Sequence, residues 1–176
     1  MLSKVQEKLI KSLHSKKGRE KSGLCLVEGK KVIETAGNAI DYTFSSDDSE
    51  NFADLVTTET PQDMAAVAKI PSFSKEDLES TKTLVVLDGV QDPGNVGAIL
   101  RLCLGFNASL LLVDSVDVTN PKVVRSSVGA MFQVPWLTMK RDEVVDYLTS
   151  LKRPIYKLEK TDNAESLESL LSENNI

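Results

Sequence analysis

With 176 residues, the chain is long enough for one good-sized domain or two small ones. Its apolar share of 41% and charged share of 27% exclude a disordered tail and a low-complexity linker. The sequence shows no apolar run near the roughly 18 residues of a membrane span and no apolar segment after Met1, so we expect neither a membrane anchor nor a secretory signal. Cys25 and Cys103 are too far apart for a CxxC motif, which favours a reducing, cytoplasmic setting.

The net charge of −5 hides a strong asymmetry along the chain. Residues 1–31 contain nine basic and three acidic side chains, a net +6, whereas residues 32–81 contain two basic and eleven acidic ones, a net −9. A basic N-terminal stretch beside an acidic one is compatible with nucleic-acid binding through one face. It is also compatible with a solvated helix that carries ordinary lysines, and charge alone leaves both alternatives open.

The first half of the chain contains short elements of mixed type. Apolar spacing predicts a helix over residues 3–13, with Ser3 and Gln6 as a capping box. Residues 14–22 are expected to form a polar, basic loop.

A second helix is predicted from Thr60-Pro61, because proline favours the first helical position, and it should run to about Lys69. Residues 71–80 are polar and charged, which is typical of a linker between two units.

From Lys82 onward the pattern changes to apolar strands that alternate with helices. Residues 84–87 and 109–113 are apolar in almost every position, and the predicted helix between them covers residues 94–106. The remaining predictions are a helix after Asn120-Pro121, a strand over 135–139, a helix over 141–151, a strand over 155–158 and a helix over 164–171. Strands that are apolar on both faces and alternate with helices indicate a parallel sheet covered on both sides, so the expected fold class is α/β.

One candidate ligand site lies at the first strand-to-helix loop, where open α/β sheets bind their ligands. Residues 88–101 read DGVQDPGNVGAILR. Gly94 and Gly97 allow close approach to the backbone, and the helix start offers free N–H groups to an anion. Arg101 follows them on the same side of the helix, so Gly94, Asn95 and Arg101 are expected to address one polar ligand. The segment matches neither the dinucleotide nor the P-loop pattern, so it predicts a polar-ligand site of another kind, or a tight turn with a surface arginine.

A second strand-to-helix segment, residues 120–136, reads NPKVVRSSVGAMFQVPW. Lys122 and Arg125 are three residues apart on one helical face. The small residues Ser127, Gly129 and Ala130 permit something to approach the backbone closely. That partner is either a ligand or, in the structural alternative, the sheet or another helix.

The pair DPGNVGAILR and NPKVVRSSVGAMFQVPW, in this order, resembles the first two motifs of the SpoU/TrmH branch of the SPOUT RNA methyltransferases. Asn95, Gly97 and Arg101 match the N-x-G-x-x-x-R spacing of the first motif. Upstream, SLHSKKGREKSGLCLVEGKKVIETA resembles the start of an L30e-like substrate-binding domain. The resemblance therefore implies an L30e-like RNA substrate-binding domain over residues 1–78, followed by a SPOUT α/β-knot methyltransferase domain with a mainly parallel sheet over residues 82–176.

The same resemblance implies the activity, the cofactor and the roles of individual residues. It implies transfer of a methyl group from S-adenosylmethionine to a ribose 2′-oxygen of ribosomal or transfer RNA, a deep trefoil knot, and a homodimer with active sites across its interface. Arg101 and Asn95 would be the catalytic residues, with the charged guanidinium as a phosphate clamp or alkoxide stabiliser. The residues expected to bind the donor are Ser127, Gly129 and Ala130. Those expected to bind RNA are Lys16, Lys17, Arg19, Lys21, Lys122 and Arg125. No metal site is expected, since His14 and two distant cysteines make no ligand cluster.

The family's third motif has no match in this sequence, which predicts weak donor binding and little catalysis by the chain as it stands. A non-catalytic RNA-binding protein that uses the basic N-terminal region is therefore the alternative function. A generic nucleotide-binding α/β protein is less favoured because no phosphate-binding fingerprint fits.

Overall fold

The computed structural model describes residues 1–158, and Met1–Val145 form one compact unit while Asp146–Ile176 form a second. The helices are α1 (Lys4–Ser12), α2 (Lys16–Ser22), α3 (Lys30–Ala36), α4 (Phe52–Leu55), α5 (Lys75–Glu79), α6 (Pro93–Gly105), α7 (Pro121–Ser126) and α8 (Arg141–Ser150). The strands are β1 (Leu24–Glu28), β2 (Ile40–Ser45), β3 (Met64–Lys69), β4 (Leu84–Asp88), β5 (Ser109–Val113) and β6 (Trp136–Thr138). Two short 3₁₀ turns, Gly37–Ala39 and Ala130–Phe132, complete the described elements.

The first sheet is antiparallel and has the strand order β1-β3-β2. Its central strand, β3, occupies residues for which the sequence predicted a helix, so that prediction is wrong. Ala65 and Val67 lie on one face of the strand and are fully buried, and β3 forms backbone hydrogen bonds to a neighbour on each side. Tertiary pairing on both edges outweighs the helical preference of an alanine-rich segment that follows a proline.

The basic segment before β1 is a helix rather than the predicted loop. The Ser15 side chain accepts a hydrogen bond from the Gly18 N–H and caps the start of α2. Gly23 ends it with a left-handed backbone, φ +68°. By contrast, the predicted capping box of α1 is confirmed, because Ser3 and Gln6 each bond to the other's backbone N–H.

The second sheet is parallel, with the order β4-β5-β6, which confirms the predicted α/β pattern. Every residue of the central strand β5 is buried. Leu110 and Leu112 belong to a core cluster with Val96 and Leu100 of α6 and Val123 of α7, so both helices pack on this sheet. The two segments singled out in the sequence therefore start at neighbouring points along its carboxyl edge.

The same core also includes residues of the antiparallel sheet. Cys25 and Val27 of β1 belong to the cluster of α6 and α7, whereas Leu26 between them belongs to a second cluster with Ile10 of α1 and Phe44. Strand β1 is thus buried on both faces, and one of these faces packs with the motif helices. The predicted boundary near residue 80 falls in the connection between the two sheets, and the assignment of two domains stays a prediction.

The end of the described chain departs from expectation. Residues 153–158 carry neither helix nor strand, so the predicted strand over 155–158 is wrong, and the helix expected over 164–171 lies outside the described residues. Within residues 1–158, each helix is too short or too polar to cross a bilayer.

Candidate functional site

The loop from β4 to α6 is held rigidly at the carboxyl edge of the parallel sheet. The Gly89 N–H donates to the carbonyl of Val113, at 2.9 Å, and Gly89 has φ +71°, a conformation that favours glycine. Asp92 then caps α6, because its Oδ1 accepts a hydrogen bond of 2.8 Å from the Asn95 N–H, and Pro93 takes the first helical position. The N-terminus of α6 is therefore held by the backbone hydrogen bond of Gly89 in the loop before it and by the Asp92 side chain that caps its first turn.

Asn95 and Arg101 are both exposed on α6. Their six-residue spacing places them about 120° apart around the helix axis. The two side chains therefore lie on different faces of α6 and would contact a ligand from different directions. Among the described residues, neither side chain has a hydrogen-bond or ion-pair partner. Arg101 also lines a shallow pocket with Ala98 and Leu102. The structure thus leaves the guanidinium and the amide available for an external ligand.

Helices α6 and α7 meet at Gly97. A Cβ at this position would lie 2.0 Å from Ser126 Oγ and 2.7 Å from Ser127 N. The Ser126 hydroxyl in turn donates to the Pro93 carbonyl at 2.9 Å. The glycine of the first motif therefore has a packing role, since it lets the second motif approach the first turn of α6.

The three residues expected to bind the methyl donor point into the protein. Ser127 is 1% exposed and donates its hydroxyl to the Val124 carbonyl at 2.9 Å. A Cβ on Gly129, which has φ +82°, would lie 2.8 Å from Thr35 Cβ. Ala130 is 2% exposed in the core. In the described residues the surface of these three positions is covered by the chain's own atoms.

The residues expected to contact RNA divide into an exposed and a buried group. Lys16, Lys17 and Lys21 are exposed on α2, as expected. Arg19 is only 3% exposed, and its Nη2 donates to Asp117 Oδ2 at 2.6 Å and its Nε to Thr119 Oγ1 at 2.9 Å. This corrects the expectation for Arg19, whose guanidinium is turned away from solvent and links α2 to the loop after β5.

Arg125 also has a protein partner, the carboxylate of Glu28 at the end of β1. Glu28 is 4% exposed and accepts hydrogen bonds from Arg125 Nη1 and from the Thr57 hydroxyl, the latter at 2.8 Å. Arg125 remains partly exposed and, with Lys122, lines a cleft beside Thr57–Thr60. The pairs Arg19–Asp117 and Arg125–Glu28 span 98 and 97 residues of sequence, and no local pattern indicates such distant partners.

Other chemistry is disfavoured by the state of the candidate groups. Burial raises the pKa of the Cys25 thiol to about 12 and that of Cys103 to about 11, so neither is a ready nucleophile. His14 Nε2 lies 3.0 Å from the Leu55 carbonyl. Within residues 1–158, no cluster of three or more His, Cys, Asp or Glu side chains is arranged to hold a metal ion.

Comparison with known families matches both halves of the chain. Residues 82–175 match the family described as the SpoU rRNA methylase family, which is more than half of the chain. Residues 4–45 match the MRM3-like substrate binding domain. The two matches fall on the parallel-sheet segment with both motifs and on the basic N-terminal segment.

Individual relatives give the same picture. The chain is 31% identical over 168 residues to the 23S rRNA (guanosine(2553)-2′-O)-methyltransferase RlmP of Bacillus subtilis, and the match covers 83% of this chain and 66% of RlmP, just under two thirds of its length. A TrmH-family structure from Porphyromonas gingivalis superposes with a TM-score of 0.74 at 29% identity, covering 88% of this chain and 70% of that one. An AdoMet-bound rRNA methyltransferase from Sinorhizobium meliloti shares the fold, with a TM-score of 0.67 at 22% identity over 86% of this chain and 67% of that one.

Proposed function

Because the chain belongs to the SpoU rRNA methylase family, we propose that it takes part in methylating the 2′-oxygen of a ribose in ribosomal or transfer RNA, with S-adenosylmethionine as the donor. RlmP, the relative at 31% identity, is a 2′-O-methyltransferase of 23S rRNA. The observation that carries the proposal is the state of α6. An exposed arginine and an exposed asparagine, without partners in the described chain, stand on a rigidly capped helix at the ligand-binding edge of a parallel sheet.

The roles of Arg101 and Asn95 follow from the chemistry of a ribose hydroxyl. A 2′-hydroxyl is a weak nucleophile until its proton is withdrawn, and the oxygen then develops negative charge. A guanidinium keeps its proton at neutral pH, so Arg101 suits stabilisation of that oxygen or of the adjacent phosphate rather than proton removal. Asn95 has both a donor and an acceptor with which to orient the hydroxyl.

The donor is held, in this proposal, by groups other than Ser127, Gly129 and Ala130. Each of these has its surface covered by the chain itself, as described above. The inward packing of these three residues also favours the second candidate function, in which the chain binds RNA without catalysing methyl transfer.

RNA binding is assigned in this proposal to the N-terminal region, residues 1–78, acting as a substrate-binding domain. Lys16, Lys17 and Lys21 present three positive charges on α2, and the MRM3-like match over residues 4–45 includes all of them. Exposed lysines attract the phosphate backbone without sequence preference. Selection of the target nucleotide is left to other contacts.

We also propose a homodimer that covers the exposed apolar side of α6. Leu102, Leu104 and Phe106 are 59%, 42% and 80% exposed, an unusual amount of apolar surface for one helix end. A second copy placed there would also bring its residues beside Arg101. The two buried, unpaired thiols agree with a cytoplasmic location.

The decisive experiment compares wild type with Arg101→Ala. Transfer of labelled methyl groups from S-adenosylmethionine to transcribed ribosomal RNA is measured, and the product is mapped by its resistance to alkaline cleavage at the modified ribose. We expect Arg101→Ala to lower transfer by about 100-fold or more. RNA affinity, measured in parallel, should change little.

Arg101→Lys serves as the matched control because it keeps the charge but loses the planar fork of donors. If wild type binds RNA but transfers no methyl group, catalysis by this chain is contradicted and the RNA-binding alternative holds. Calorimetric titration with S-adenosylmethionine gives an independent measure, and we expect weak binding.

A further inference from the structure

Helix α2 is attached to the rest of the protein by a single charged side chain. The helix reads KKGREKS and contains no apolar residue, and Arg19 is its one buried side chain. A helix of seven residues is marginally stable on its own in water, because most helical stability in proteins comes from tertiary packing. The orientation of α2 therefore depends on the contacts of Arg19.

The guanidinium of Arg19 belongs to a hydrogen-bond network that reaches α1 and the segment before α7. Its Nη1 donates to the carbonyls of Leu13, at 2.8 Å, and His14, at 3.2 Å, at the end of α1. Its other nitrogens donate to Asp117 and Thr119, and the Thr119 hydroxyl donates to Asp117 Oδ1 at 2.8 Å. Because hydrogen bonds are directional, this network fixes the rotation of α2 about its axis as well as its position.

Lys17 and Lys21 lie on the side of α2 opposite Arg19. With 3.6 residues per turn, each is about 160° from Arg19 around the helix axis, and the two are about 40° apart. Both are exposed, and among the described residues neither has an ion-pair partner, whereas Lys16 lies 3.7 Å from Glu20. The orientation that buries Arg19 thus places two uncompensated ammonium groups next to each other in solvent.

The same network connects these lysines to the motif helices. Thr119 directly precedes Asn120, whose side chain caps α7. Helix α7 packs on the first turn of α6 at Gly97, and α6 carries Arg101. These contacts all lie within the compact unit Met1–Val145, so the lysine pair has a fixed position relative to α6.

We propose that Arg19 is a positioning residue for RNA binding, which fixes the orientation of α2 and so of its lysine pair. It acts through Asp117 and Thr119, and its own guanidinium does not touch RNA, since Arg19 is 3% exposed. A lysine pair that is already oriented loses less conformational entropy when it binds phosphates than a mobile pair does. The inference rests on the proposed function, because it concerns the same RNA-binding helix.

The test is RNA binding by the 176-residue chain, measured by fluorescence anisotropy with a labelled hairpin RNA across a range of salt concentrations. Asp117→Asn removes a negative charge, and by charge alone this change should tighten RNA binding. We expect it instead to weaken binding by about fivefold, because Arg19 loses the partner that orients α2. The sign of the effect separates positioning from general electrostatics.

Two further variants serve as controls for Asp117→Asn. Asp142→Asn removes the same charge from an exposed aspartate of α8 and should leave binding unchanged or slightly tighter. Thr119→Val keeps every charge but removes the acceptor of Arg19 Nε, so it should weaken binding by about twofold. Circular dichroism at the assay temperature shows whether each variant is folded, and Thr119→Val decides the question if Asp117→Asn is unfolded.

A double-mutant cycle tests whether the effect passes through the lysine pair. Lys17→Gln combined with Lys21→Gln should lower the salt slope by about 0.7 to 0.9 for each lost phosphate contact. Lys8→Gln, at an exposed lysine of α1, is the control for loss of one positive charge. In the background without the pair, Asp117→Asn should weaken binding no further, because the lysines that it would misplace are absent.

The outcomes separate positioning from the proposed function. If wild type binds RNA and Asp117→Asn binds as tightly as Asp142→Asn, the network supports only the fold, and the proposed function stands without the positioning role. The same conclusion follows if Asp117→Asn weakens binding equally with and without the lysine pair. If wild type fails to bind RNA, both proposals are overturned.

Discussion

The segments that follow β4 and β5 begin alike and end differently. Each opens with a capping side chain and a proline at the first helical position, Asp92-Pro93 in one and Asn120-Pro121 in the other. After this common start, Asn95 of α6 is exposed to solvent, whereas Arg125 of α7 bonds to Glu28 in the N-terminal half of the chain. The capping residue and the proline therefore determine where a helix begins. The elements packed against the helix determine whether its polar side chains are free for a ligand or bonded within the protein.

The second segment is fastened to the N-terminal half at three places. Asp117 bonds to Arg19, Arg125 bonds to Glu28, and Gly129 lies against Thr35. The first segment has no such link among its exposed polar side chains in the described chain. Substitutions in the second segment and its partners should thus affect stability, and those on the exposed face of α6 should affect activity.

The largest effect is expected from Arg19→Leu. Removing Arg19 leaves the Asp117 carboxylate without the positive charge that compensates it, and breaking a buried ion pair in this way typically costs about 3 to 5 kcal/mol. The free energy of unfolding, measured by urea denaturation at neutral pH, should fall by this amount. Lys16→Leu is the matched control on the same helix, because the exposed Lys16–Glu20 pair, at 3.7 Å, contributes less than about 1 kcal/mol.

The same variant also changes the response to acid. Burial alone would raise the pKa of Asp117, but hydrogen bonds from Arg19 and Thr119 outweigh it and lower the pKa below its usual value. A carboxyl group with a lowered pKa stabilises the fold above its unfolded pKa, near 4, and this stability is lost as pH falls through the folded value. Wild type should therefore lose more stability than Arg19→Leu on acidification below about pH 4. Equal losses would show that Asp117 is not held by Arg19.

A smaller effect is expected from Gly129→Ala. The added methyl group would lie 2.8 Å from Thr35 Cβ, and the φ of +82° is unfavourable for alanine, so the variant should lose about 2 to 3 kcal/mol. Thermal or urea unfolding measures the loss. Gly105→Ala is the control at the end of α6, where a methyl group meets no atom within 4 Å, and it should be neutral or stabilising by up to about 1 kcal/mol. Equal behaviour of the two variants would contradict the close approach of Gly129 to α3.

The smallest effects are expected on α6. Asp92→Ala removes the cap of the helix and should cost about 1 kcal/mol. Arg101→Ala should change the free energy of unfolding by less than about 0.5 kcal/mol, because the side chain is exposed and without a partner in the described chain. A large loss of stability in Arg101→Ala would mean that this arginine supports the fold, and the contrast between the two segments would no longer hold.

Local signals were sufficient for much of the fold. The capping box of α1, the apolar strands β4 and β5, and the Asn120-Pro121 start of α7 each depend on residues within a few positions of one another. The motif resemblance depended on similarly short spacings. These elements were predicted because the forces that form them act along the chain.

The failures at β3, at Arg19 and in the second motif came from contacts between distant residues. Strand β3 has an alanine-rich sequence after a proline, and its pairing with β1 and β2 cannot be derived from that segment alone. Arg19 has the sequence context of a surface cation, and its burial depends on Asp117, 98 positions later. The inward packing of Ser127 and Gly129 depends likewise on the elements that surround them. Composition and spacing identified small residues there but did not distinguish a ligand from a neighbouring helix.

The pair Glu28–Arg125 also has a consequence for the timing of folding during synthesis. The two residues are 97 positions apart, so at about 5 to 20 residues per second the ribosome adds Arg125 roughly 5 to 20 seconds after Glu28. During that interval β1 has no guanidinium to neutralise the carboxylate that the finished protein buries. The antiparallel sheet is therefore expected to remain loosely packed on the nascent chain and to close only when the second motif helix has emerged.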